Sequence, residues 1–89
     1  MILIISMCKG KLSELEFVKP LQELVPENKV KHYSKITKKD IDEADRIILT
    51  GTALADFEYL KGDLSWILDC EKPILGICAG VQAIAKAVG

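Results

Sequence analysis

The chain has 89 residues, with 12 Lys+Arg against 13 Asp+Glu and 49% apolar residues. A chain this short buries only ~60–65% of the surface it exposes when unfolded, which excludes a second independent core. The near-neutral charge leaves no field to hold a nucleic-acid backbone or an anionic membrane, and the apolar content argues against disorder.

The amino-terminal stretch Met1-Ile2-Leu3-Ile4-Ile5-Ser6 is a continuous apolar run, the pattern of a strand covered on both faces in a parallel sheet. Residues Leu15 to Leu24 read as helical, but Pro20 is comfortable only in a first turn, so the helix is expected to start near Val18. Lys29-Val30-Lys31-His32-Tyr33 alternates, as a half-exposed strand near a sheet edge would. Thr37 can cap a short helix carrying Ile41 and Ala44. Arg46-Ile47-Ile48-Leu49-Thr50 is a second buried strand and ends at Gly51. Asp63 can cap a helix with Leu64, Ile67 and Leu68 on one side, and Pro73-Ile74-Leu75-Gly76-Ile77 is a third buried strand, ending at Cys78. In the last helix, Ala79 to Val88, the residues Val81, Ile84, Ala85 and Val88 share one face.

This alternation predicts an α/β fold of about four strands and four helices: an open parallel sheet with helices on both faces, flavodoxin-like, in strand order 2-1-3-4. Sites in such sheets lie beyond the carboxyl ends of the strands, here Ser6–Gly10, Gly51–Ala55 and Cys78–Gly80. No apolar run reaches the ~18–20 residues of a membrane helix, and the start of the chain lacks the basic region of a secretory signal, so a cytoplasmic protein is expected. Cys8, Cys70 and Cys78 are odd in number without C-x-x-C spacing, which argues against a disulfide framework or a thiol-rich metal site.

Gly76-Ile77-Cys78-Ala79-Gly80 is G-x-C-x-G between a predicted strand and a predicted helix, the thiol counterpart of a nucleophile elbow. A nucleophile on so sharp a turn needs glycine two residues to either side, where side chains would collide with the backbone. Cys78 would then project outward at a helix N-terminus, whose amides favour thiolate and can hold an oxyanion. The alternative is a small buried cysteine at a strand end, with glycines serving only tight packing.

With Gln82 included, residues Gly76 to Gln82 resemble the G-x-C-x-G-x-Q motif of class I glutamine amidotransferases. The resemblance covers the chain as the N-terminal half of that domain, so an incomplete domain is implied. It implies Cys78 as the nucleophile toward glutamine as substrate, and the backbone amides of Ala79 and Gly51 as the oxyanion hole. Gly76, Gly80 and Gln82 complete the elbow. It further implies a synthetase domain or subunit that accepts the ammonia, and neither cofactor nor metal. The family's glycine pair followed by proline is here Thr50-Gly51-Thr52-Ala53, with one glycine. The family's catalytic histidine and glutamate belong to a C-terminal half that this chain does not contain, so the isolated chain is expected to be inactive. A complementary C-terminal half or a homo-oligomer would cover the sheet edge.

The other candidate residues have plainer readings. His32 is expected at the surface or in packing, since a catalytic base needs hydrogen-bond reach to its nucleophile. Cys8 lies in a strand-end loop, Cys70 packs at a helix end, and Trp66 and Phe57 are core or interface anchors. Asp40, Asp42, Glu43 and Asp45 read as a solvated face, and Lys9-Lys11 and Lys38-Lys39 as ordinary surface pairs. Two competing functions stay open: a non-catalytic flavodoxin-like interaction module, and a related cysteine hydrolase with Glu14 or Glu16 as acidic partner.

Overall fold

The structure, a computed structural model, describes residues 1–8, 11–52 and 65–88. In chain order these form β1 (Ile2–Ser6), α1 (Lys11–Phe17), α2 (Lys19–Leu24), β2 (Asn28–His32), α3 (Lys38–Glu43), β3 (Arg46–Leu49), α4 (Trp66–Asp69), β4 (Ile74–Gly76) and α5 (Ala79–Val88). A 3₁₀ turn over Tyr33–Lys35 follows β2. The predicted elements at Lys9, Ala53–Ala55, Phe57, Asp63 and Leu64 lie outside the described residues.

The strands pair in the order β2-β1-β3-β4, all parallel. The expected topology is the one observed. Ile4 sits opposite Val30 on one side and Ile48 on the other, which makes β1 central. Its apolar run splits between two cores because alternate side chains leave opposite faces of the sheet. Leu3, Ile5 and Met7 join Ile47, Leu49, Ala44, Ile67 and Ala83 on one face, beneath α3, α4 and α5. Ile4 and Cys8 join Val18 on the other, with Phe17 and Leu21 of α1 and α2 packed against them. Each fully buried Leu or Ile contributes about 1.5–3 kcal/mol. Among the described residues no helix is long and apolar enough to cross a membrane.

Several local expectations need correction. The single helix expected from Val18 is preceded by another, α1, and the two are joined through Val18, whose N–H donates to the Glu14 carbonyl at 2.9 Å. Pro20 lies in the first turn of α2, where its missing N–H costs least. In α5 the buried side is set by Ala83, with Ile84 and Ala87 packed on the core, whereas Val81 and Val88 are exposed. Gly80 brings the helix backbone onto β3, which turns the side carrying Ala83 inward. Leu68 of α4 is likewise exposed, while Ile67 is buried.

Asp40 is the other correction, since it is buried rather than part of a solvated face. It closes a capping box: its N–H donates to Thr37 Oγ1 at 3.3 Å, and its Oδ2 accepts from the Thr37 N–H at 3.0 Å. Lys29 and Lys31 approach the same carboxylate at 3.3 and 3.5 Å. Hydrogen bonds from the Thr37 backbone, then its hydroxyl and Lys29, hold the Asp40 pKa down to about 2 against the penalty of burial.

Candidate active site at the strand ends

The carboxyl ends of β1, β3 and β4 bring three short segments together: Met7-Cys8, Thr50-Gly51-Thr52 and Ile77-Cys78. The chain leaves the sheet at Ile77, whose N–H donates to the Leu49 carbonyl at 3.0 Å as a last rung of the ladder. One residue later the Cys78 carbonyl accepts from Val81 and Gln82 at 3.0 and 3.4 Å, so it already starts α5. Strand becomes helix within a single residue, and Cys78 absorbs the reversal with φ 51°. That left-handed conformation costs a non-glycine residue roughly 1–2 kcal/mol. Its side chain is exposed.

The flanking glycines both sit at tight backbone contacts. A Cβ on Gly76 would lie 2.8 Å from the Gly80 carbonyl carbon and the Val81 nitrogen. One on Gly80 would lie 2.4 Å from the Leu49 carbonyl oxygen. Both neighbours are backbone, which cannot rotate away. The glycines therefore let β3, β4 and the start of α5 meet at contact distance, and this contact forces the bend.

Gly51 is brought to the same point, since a Cβ built on it would stand 3.4 Å from Cys78 Cβ and 3.3 Å from Phe17 Cδ1. Ala79 is the first residue of α5, so its amide belongs to the helix N-terminus, where N–H groups lack intrahelical acceptors. Gln82 is exposed on the second turn of that helix. The structure thus gathers Cys78, Ala79 and Gly51 in one place and assigns Gly76 and Gly80 to its construction.

Among the described candidates, His32, Cys8 and Cys70 make their contacts with other partners than Cys78. His32 Nδ1 accepts from the Ser34 N–H at 3.2 Å and contacts Ser34 Oγ at 2.7 Å, so Nε2 carries the proton and donates to the Cys8 carbonyl at 2.7 Å. Both ring nitrogens are engaged in holding the end of β2 to the end of β1. Cys8 is fully buried, with its Sγ 3.4 Å from the Gly51 carbonyl oxygen. Burial pushes its thiol pKa up, with a smaller rise from Glu14, against the lowering effect of the Thr52, Ser6 and Thr50 hydroxyls. Cys70 packs beside the core at the end of α4. Among the described residues no group of His, Cys, Asp and Glu is placed to hold a metal ion. A concavity of about 900 Å³ opens between Tyr33, Ile41, Trp66 and Cys70, but no residue of the three strand-end segments borders it.

Sequence reasoning missed the buried hydroxyl cluster of Ser6, Thr50 and Thr52 beneath Gly51. The signal available was the run of small hydroxyl residues at two adjacent strand ends.

Residues 16–89 match the family model described as glutamine amidotransferase class-I. The chain belongs to that family. The match takes in α2 through α5 and therefore the whole elbow of this amidotransferase-like chain. Among curated proteins and solved structures no significant match was found.

Proposed function

We propose that this chain is the N-terminal part of an amidotransferase domain, which carries the nucleophile and oxyanion hole for glutamine hydrolysis but not the base. The observation that supports this most directly is the strained, exposed Cys78 at the start of α5, with Gly51 beside it. In this reading the Cys78 sulfur attacks the carboxamide carbon of glutamine, forming a C–S bond and placing negative charge on oxygen. The Ala79 and Gly51 amides stabilise that oxyanion. Collapse breaks the C–N bond, the protonated nitrogen leaves as ammonia, and water then cleaves the thioester to give glutamate and the free thiol. Each proton transfer needs an acid–base group, and the chain's sole histidine is committed to Cys8 and Ser34. A histidine and its orienting carboxylate would come from a complementary segment, and a synthetase domain or subunit would take the ammonia.

The test is labelling with a glutamine-shaped electrophile, with and without excess glutamine, read at each cysteine by peptide mass spectrometry. The expected result is modification centred on Cys78 and slowed by glutamine. Modification of Cys78 that glutamine does not slow would overturn the proposal. It would favour the non-catalytic module, a reading supported by the exposed Leu75 and Val81 beside the β4 edge.

A further inference from the structure

The loop that meets Cys78 is held from behind. The Thr50 N–H donates to the Ile5 carbonyl at 3.1 Å, and the Met7 N–H donates to Thr50 Oγ1 at 3.1 Å. Thr50 Oγ1 in turn donates to the Gly51 carbonyl at 3.0 Å, and the Cys8 thiol donates to that same oxygen at 3.4 Å. Cys8 is itself fixed, because its N–H donates to Ser6 Oγ at 3.3 Å and its carbonyl accepts from His32 Nε2–H at 2.7 Å. Ser6, Cys8 and Thr50 are all fully buried. The Gly51 carbonyl is therefore turned into the interior by two donors, whereas the Cα of the same residue faces Cys78.

A glycine peptide has little steric preference of its own, so something other than sterics must set which way this one points. A trans peptide is planar, and fixing the carbonyl fixes the whole dipole of the Gly51–Thr52 unit. With the oxygen held inward, the negative end of that dipole is kept in the buried cluster rather than beside the exposed sulfur. Burial keeps the Cys8 thiol protonated and so able to donate.

We propose that Cys8 is a positioning residue for Cys78: through its bond to the Gly51 carbonyl, it sets the orientation of the peptide packed against the nucleophile. The proposal rests on the reading of Cys78 as nucleophile. It goes beyond that reading, because Cys8 touches no reacting atom and acts only through Gly51. Loss of the thiol donor leaves Thr50 Oγ1 as the one remaining donor of the two and loosens the inward hold, so the negative end of the dipole turns outward more often, where it opposes thiolate at Cys78.

The experiment compares the full chain with Cys8→Ala, Cys8→Val and Cys8→Ser. It reads Cys78 alkylation by iodoacetamide at about pH 7 and about pH 9.5, together with the Gly51 carbonyl ¹³C shift. Cys8→Ala is expected to slow Cys78 alkylation about three- to tenfold at the lower pH and to leave it unchanged at the higher, where an ordinary exposed thiol is already largely ionised. Cys8→Val should do the same while refilling the volume, and Cys8→Ser, which keeps a donor, should stay within about twofold of the parent. Equal slowing at both pH values reports access rather than charge and overturns the proposal. An unchanged rate in folded Cys8→Ala does the same, as does failure of both apolar variants to fold while Cys8→Ser folds. If Cys78 of the parent chain alkylates no faster than an ordinary exposed thiol, the amidotransferase reading is what fails. The Gly51 carbonyl shift then still decides the positioning: movement in Cys8→Ala and Cys8→Val but not Cys8→Ser supports it, and no movement overturns it.

Discussion

Gly80 and Leu49 touch through their backbones: a single carbon added to Gly80 would come 2.4 Å from the Leu49 carbonyl oxygen. That oxygen also accepts the last strand-type hydrogen bond from Ile77, at 3.0 Å. One carbonyl thus ends the β3–β4 ladder and limits how close α5 can approach. The geometry of the Cys78 turn is set between those two constraints.

Gly80→Ala is accordingly expected to destabilise the chain by about 3 kcal/mol or more, above the usual range for one extra methyl because the obstacle is backbone. Gly76→Ala meets the backbone of Gly80 and Val81 and should behave similarly. Urea unfolding measures both. A loss under about 1 kcal/mol for either would mean that the contact is not what shapes the elbow.

Cys78→Gly should move the other way. Glycine relieves a left-handed residue of roughly 1–2 kcal/mol and costs about 0.5–1 kcal/mol in chain entropy, a net gain of about 0–1.5 kcal/mol. The urea midpoint should therefore rise in a variant that has lost its thiol. A midpoint below that of the parent would show that Cys78 is not strained.

Accessibility orders the three thiols. Cys78 is exposed, Cys70 intermediate and Cys8 buried, so alkylation of the native chain should proceed in that order. Peptide mass spectrometry resolves the sites. The differences should vanish in denaturant, where all three thiols are equally open.

Acid stability follows from Asp40. Its pKa is held down to about 2 from an ordinary 3.8, so its contribution is present above the unfolded value and is lost as pH falls from about 4 through about 2. Stability should decline across that window in the parent chain. In Asp40→Asn the decline should be shallower, as read by unfolding midpoints at successive pH values.

Asn28 ties the end of α2 to the start of β2, with its Nδ2 donating to the Gln22 and Val25 carbonyls at 2.9 and 2.7 Å. Asn28→Ala should cost about 1–3 kcal/mol, since two carbonyls lose their partner. Asn28→Asp should cost more, because a carboxylate offers those carbonyls only repulsion. Thermal melts of the two variants give the ranking.

How much could be read from residues alone depended on whether a local rule had a rival. Ile2 to Ser6 has a weak one, since an unbroken apolar run this short and rich in β-branched residues suits a strand covered twice better than a helix, and it proved to be an interior strand. Thr37 was legible as a helix cap, but the burial of Asp40 was not, because the lysines that offset its charge come from β2. In α5 the periodicity of Val81, Ala85 and Val88 is as good as that of Ala83, Ile84 and Ala87. Only the closeness of β3 to Gly80 decides which stripe turns inward.

The order of strands, the place of the bend and the residue type on it were therefore determined by the sequence, because each follows from short-range sterics and burial. What stands around that bend was decided by the tertiary structure. Cys8, Thr50 and His32 come from separate strand ends, and no spacing along the chain reveals that they converge behind Gly51. Hydrogen bonds between distant segments depend on register and crossover, and those exist only once the sheet has formed.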